Sequence, residues 1–118
     1  MKESVKEQWL TALRSGNYEQ GQGALRTVSG FCCLGVLCEV AVKNKVIPEP
    51  VKDRFIDAYA YGNEVMTGTL PREVSEWAGL DSENPDVRVN GGTYTDVAAV
   101  NDGGADFHYI ADLIEDQL

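Results

Sequence analysis

Eight consecutive residues, Phe31-Cys32-Cys33-Leu34-Gly35-Val36-Leu37-Cys38, carry no charge, hydroxyl or side-chain amide. In a chain of 118 residues such a run has to be buried, and the rest of the fold has to be built around it. It is preceded by a segment of opposite character, Arg14 to Gly30, which is polar and punctuated by Gly16, Gly21, Gly23 and Gly30. Periodicity alone does not separate a buried strand from a buried helix over eight residues. The continuation to Asn44 favours a helix, because Leu37, Val40 and Ala41 fall on one side and Glu39 and Lys43 on another. Gly35 in its middle costs about 1 kcal/mol against alanine. Its presence predicts that another stretch of backbone passes close by.

The remaining chain supplies partners for this central helix. Residues Glu3 to Ser15 predict a first helix with Val5, Trp9, Leu10 and Leu13 in one apolar stripe, Ser4 and Glu7 forming a capping box, and Gly16 ending it in the left-handed region. Ala24 to Val28 reads as a short strand closed by a Ser29-Gly30 turn, and Pro48 and Pro50 as the stop of the central helix. Asp57 to Thr69 reads as a surface hairpin or irregular strands, and Pro71 to Gly79 as a short third helix. A strand is expected at Val87 to Val89. Thr95 is expected to cap a fourth helix, and Asp106 to Leu118 predicts an amphipathic last helix with Phe107, Ile110, Ala111, Ile114 and Leu118 on one face. The sum is one α+β domain spanning residues 1–118. Its centre is a buried helix flanked by the N- and C-terminal helices, with a small irregular sheet from the 24–28 and 57–69 segments.

Composition narrows the function classes. An apolar fraction of 43% and a charged fraction of 25% are those of an ordinary soluble domain. No apolar run is long enough to span a membrane and Met1 to Trp9 lacks a signal-peptide core, so a cytoplasmic location without membrane contact is expected. Nineteen acidic against ten basic residues, a net charge of −9, give none of the basic footprint of a duplex-DNA binder. Cys32, Cys33 and Cys38 match no zinc-ligand spacing even with His108, and read as small buried hydrophobes rather than as metal ligands. A Cys-His nucleophilic pair with His108 lacks a residue to orient it, so no catalytic residue, metal or cofactor is assigned. The helix, glycine turn, helix pattern after Thr95 resembles a helix-turn-helix. Its last helix carries Asp106, Asp112, Glu115 and Asp116 and no cation, which phosphates would repel.

The polar loop is the candidate site. Arg14 and Arg26 can supply forked donors, the amides of Gly21 and Gly23 can point at an anion, and Tyr18 or Tyr61 can stack on a base, with Ser15 and Gln20 as further polar contacts. The competing reading is a tight connection in which the glycines only turn the chain and Arg14 pairs with a neighbouring acid.

Trp9, the run Ala12-Leu13-Arg14-Ser15-Gly16, Tyr18, Gln20, Gly21, Gly23 and Leu25, the octapeptide Phe31 to Cys38, Leu70-Pro71, Trp77, Gly79-Leu80 and Asn101-Asp102 carry a resemblance. Together with Gly104, Phe107, Ile110-Ala111 and Ile114 they make the chain similar to a widespread family of small accessory proteins of tailed bacteriophages, largely of unknown function. Glu39 stands where that family more often has Asp, and Asn17 and Glu19 flank Tyr18 where a basic residue is usual. The resemblance implies an accessory role in the cytoplasm of an infected host. By analogy with phage proteins that sequester signals, it implies an anti-defence sponge that binds a phosphate-bearing ligand, a cyclic nucleotide immune signal, without cleaving it. Enclosure at a subunit interface of a homo-oligomer would supply affinity. The alternative partner is a basic host protein masked by the acidic surface.

Overall fold

The computed structural model describes residues 1–118 as an α+β domain of five helices and two separate two-stranded antiparallel sheets. Helix α2, Cys33–Lys43, is its centre: Cys33 to Cys38, Val40 and Ala41 are all buried. Helix α1, Glu3–Arg14, packs against both α2 and the last helix and buries Val5, Trp9, Leu10 and Leu13. The indole Nε1 of Trp9 donates to the Cys33 carbonyl at 2.9 Å, fixing α1 and α2 in register. Helix α5, Phe107–Gln117, buries Phe107, Ile110, Ala111 and Ile114, and it sits mainly on α1, α4 and strand β3. It therefore reaches the central helix largely through its neighbours.

The close approach expected at Gly35 is present. A Cβ built on Gly35 would lie 1.7 Å from the Leu25 carbonyl oxygen. The same oxygen accepts from the Cys32 amide at 3.0 Å, and the Leu25 amide donates to the Thr67 carbonyl at 2.7 Å. The loop preceding α2 is thus laid across the helix and pinned on its far side. It forms no strand ladder: Arg26 makes one isolated bridge with Phe31, and a tight turn over Thr27 to Gly30 closes it.

Several local expectations are corrected. Helix α1 has no side-chain cap, and Ser4 lies inside it. Its start is fixed by tertiary bonds instead, the Lys2 amide donating to the Ala78 carbonyl and the terminal ammonium to the Leu118 carbonyl. Helix α2 begins at Cys33, two residues later than its apolar run, because the Cys32 sulfur accepts from the Gly35 amide as the cap. It ends before either proline, in a Schellman arrangement with Lys45 at φ 62°: the Lys45 amide donates to the Val42 carbonyl and that of Val46 to the Ala41 carbonyl. Helix α3, Arg72–Ala78, closes at left-handed Gly79 as expected. Helix α4, Val97–Asp102, is capped by Asp96 rather than Thr95.

The sheets also differ from expectation. The expected turn within 57–69 is present as a single antiparallel bridge, Tyr61 with Met66, and strand β2, Tyr59–Ala60, pairs in addition with an unforeseen β1, Val51–Lys52. The 24–28 segment joins it only through single bonds such as Tyr59 amide to Arg26 carbonyl at 2.9 Å. Strand β3, Asp86–Arg88, pairs with an unforeseen β4, Tyr94–Asp96, across the Asn90-Gly91-Gly92 turn. Thr95 is in that ladder opposite Val87, which is why it is not free to cap α4.

One buried amide holds the loop, α2 and α4 together. Asn101, wholly enclosed, accepts from Gln20 Nε2 at 2.8 Å and from the Cys33 amide at 3.2 Å, and donates to the Gly21 carbonyl at 2.8 Å.

Two outcomes are expected. Gly35→Ala, a change that normally stabilises a helix interior by about 1 kcal/mol, will here cost at least about 3 kcal/mol in urea unfolding, because its methyl overlaps a carbonyl that cannot move. Asn101→Ala will cost about 2–4 kcal/mol, since it strands the Cys33 amide and the Gly21 carbonyl in the interior.

Candidate ligand-binding face

The residues proposed from the polar loop divide into two groups. Six are used by the fold, Ser15 at the end of α1 among them. Arg14, the last residue of α1, donates through Nη2 to Glu115 Oε1 at 2.6 Å and Asp112 Oδ1 at 2.8 Å on α5; these bonds, Glu115 first, raise its pKa further. The Gly21 amide donates to the Phe31 carbonyl at 2.8 Å, and the Gly23 amide to Asp102 Oδ1 at 3.1 Å. Neither amide is open to an anion. Gln20 Nε2 is held by Asn101 and by the Ala105 carbonyl at 2.7 Å. Tyr61 is completely buried, and its hydroxyl donates to Glu39 Oε2 at 2.6 Å. Burial, with the Glu39 bond second, pushes that hydroxyl's pKa far up. A ring so enclosed has no face for a base.

Tyr18 and Arg26 fall on a common surface that the sequence reading did not delineate. Tyr18 meets Phe31 edge to face, centroids 5.2 Å apart and planes at 88°. The Arg26 guanidinium carbon lies 4.8 Å from the Phe31 centroid and 4.3 Å from that of Tyr59, so the cation contacts both rings. At the Tyr18 end, Lys43 Nζ donates to the Tyr18 hydroxyl at 3.0 Å and lies 5.5 Å from its ring centroid. Beyond Tyr59, Lys52 Nζ lies 6.0 Å from that ring. The result is a continuous ribbon in the order Lys43, Tyr18, Phe31, Arg26, Tyr59, Lys52. Each cation–ring contact is worth about 0.5–2 kcal/mol, and together they fix the geometry of the charged groups.

Arg26 is the ribbon's cation whose side chain makes no hydrogen bond within the protein, whereas Lys43 and Lys52 each donate one or more. Its nearest carboxylate oxygen, Glu39 Oε2, is 3.9 Å from Nη1, beyond hydrogen-bond length, and its side chain is about one-third exposed. Glu39 is held by the Tyr61 hydroxyl. At the other end Tyr18, Lys43 and Ser15 line a polar cleft of about 450 Å³ between α1 and α2. Ser15 itself is a helix-end residue: its hydroxyl donates to the Ala12 carbonyl at 2.7 Å and accepts from the Asn17 amide at 3.1 Å.

Phe31, Tyr59 and Lys43 were missed as site residues. Phe31 reads in sequence as the first member of an apolar run, yet it lies outside α2 and half-buried. The period of two in Tyr59-Ala60-Tyr61 was the available signal that both tyrosines turn toward Arg26 and Glu39.

The three cysteines are buried and unpaired by disulfides. Burial raises the pKa of each, that of Cys33 and Cys38 most. Cys33 Sγ donates to the Val97 carbonyl at 3.5 Å, whereas His108 is exposed. No three His, Cys, Asp or Glu side chains come together to hold a metal ion, and no helix is long and apolar enough to cross a membrane.

No curated protein and no solved structure matches the chain. A family model described as a domain of unknown function, DUF8296, matches residues 1–118. Since the match runs from end to end, the chain belongs to the DUF8296 family.

Proposed function

We propose that this protein binds and sequesters a small phosphate-bearing ligand without cleaving it, and that the ligand is a cyclic nucleotide immune signal of a bacterial host. On this reading it is a phage-encoded anti-defence sponge acting in the host cytoplasm. The observation that carries the binding part is the Arg26 guanidinium, held against Phe31 and Tyr59 with donors free for an oxyanion. A planar fork fixed by ring contacts binds phosphate with little further ordering. Lys43, beside Tyr18, provides a second cation, and the rings between offer a stacking surface for bases. The phage origin and the signal class rest on the sequence resemblance alone.

The alternative is that the acidic surface, net charge −9, masks a basic host protein.

Native mass spectrometry of the protein before and after exposure to lysate of defence-activated bacteria tests the proposal, followed by titration calorimetry with cyclic di- and trinucleotides. Release of an intact nucleotide on denaturation is expected; a cleaved product would replace sequestration by catalysis. Arg26→Ala is expected to weaken binding about tenfold or more, the loss of one charge-assisted contact. Glu39→Gln is expected to strengthen it severalfold by removing a competing negative charge, while Arg14→Ala leaves it unchanged. A protein that carries nothing and titrates with none of these nucleotides sinks the reading.

A further inference from the structure

Arg26 has its donors free but its charge partly balanced. Its guanidinium carbon lies 4.3 Å from the Tyr59 centroid and 4.8 Å from that of Phe31, and the nearest carboxylate oxygen, Glu39 Oε2, stops 3.9 Å from Nη1. That is too far for a hydrogen bond and well within Coulomb range. Glu39 is held from closing the gap. The same oxygen accepts from the Tyr61 hydroxyl at 2.6 Å, and Tyr61 is wholly buried. Swinging the carboxylate onto Arg26 would strand that hydroxyl in the interior, a larger loss than a partly exposed ion pair makes good.

The Glu39 side chain is 15% exposed against 31% for Arg26, so the acid lies deeper than the cation. What faces the surface is a fork of unused donors backed by a fixed negative charge. The other cations of the ribbon are held at its two ends, Lys43 Nζ by the Tyr18 hydroxyl and Lys52 Nζ by the Asp53 and Ile56 carbonyls. An oxyanion docking on the fork gains hydrogen bonds through its oxygens, while its charge is drawn by Arg26 and pushed back by Glu39. That net pull grows in proportion to the charge, whereas the hydration lost grows with its square. A second negative charge on the ligand therefore weakens binding.

From this geometry we infer that the Arg26 site takes a phosphodiester, the singly charged phosphate of a cyclic or internucleotide linkage, and rejects the doubly charged terminal phosphate of a monoester, with Glu39 as the selecting residue. The inference deepens the sequestration reading and rests on it. It adds that the same nucleotide is held while its phosphates are all diesters and released once one is opened to a monoester. The net charge of −9 acts in the same direction at longer range.

Two nucleotides with the same base and one phosphate each test it: 3′,5′-cyclic AMP, a diester, and 5′-AMP, whose second ionisation at about pH 6 makes it a dianion at about pH 8. Titrated at the higher pH into the whole chain and followed by NMR at the Arg26 Nε–H, the cyclic compound is expected to bind at least about tenfold more tightly. Glu39→Gln keeps an acceptor for the Tyr61 hydroxyl and removes the charge behind the fork. A doubly charged ligand feels that change twice as strongly, so where cyclic AMP gains about threefold 5′-AMP is expected to gain about tenfold, and the preference to narrow about threefold. A preference based on shape alone would survive the substitution. Equal affinities in the wild type, or a preference that Glu39→Gln leaves intact, would overturn the inference and leave sequestration standing. Silence of both nucleotides at about 20 mM would overturn it as well, and the calorimetry with cyclic di- and trinucleotides then decides whether sequestration falls with it.

Discussion

The crossing of the Leu25 backbone over Gly35 is the contact on which most of this architecture depends. A helix as apolar as α2 buries nearly all its surface, so something must cover the side not occupied by other helices. A polar loop can do so only where its backbone groups find partners, and Leu25 finds them in the Cys32 amide and the Thr67 carbonyl. Fixing Leu25 also fixes its successor. The Arg26 carbonyl accepts from the Tyr59 amide, and its side chain falls between Phe31 and Tyr59. The candidate face is thus a consequence of how the central helix is covered.

The same logic explains why the glycine amides are not an anion site. A glycine-rich loop becomes a phosphate cradle when its N–H groups converge on open space. Here the turn is closed from within, Phe31 and Asp102 taking the Gly21 and Gly23 amides and Asn101 taking the Gly21 carbonyl. A carboxylate occupying the place of an anion, as Asp102 does at Gly23, satisfies the donor inside the protein and leaves the surface there negative. The donors left open lie further along the chain, on side chains rather than main chain.

What was legible in the sequence follows from which forces are local. The central helix, the apolar stripes of α1 and α5, left-handed Gly16 and Gly79 and the close approach at Gly35 are all written in residue type and spacing. The caps were misplaced by a residue or two because the competing bonds are long-range: Ala78 and Leu118 anchor the start of α1, and Val87 takes Thr95 into a strand. Strands of two or three residues have little pattern of their own, so β1 and β4 had no clear signature. The site was half legible for a related reason. Arg26 and Tyr18 stand out as unusual residues in a loop, whereas Phe31 and Tyr59 look like core. Only the fold determines that their rings face a guanidinium.

Charge decides what size of ligand such a face can hold. A polyanion long enough to leave the ribbon would run onto a surface whose net charge is −9, and within a Debye length of about 8 Å that repulsion is not screened away. A small anion confined to the ribbon meets Arg26 and Lys43 with rings between them, and the only carboxylate close to Arg26, that of Glu39, is drawn inward by the Tyr61 hydroxyl. On the proposed reading, a short cationic and aromatic strip on an acidic protein selects its ligand for compactness before chemistry. That selection is what sequestering a signalling nucleotide amid a large excess of RNA requires.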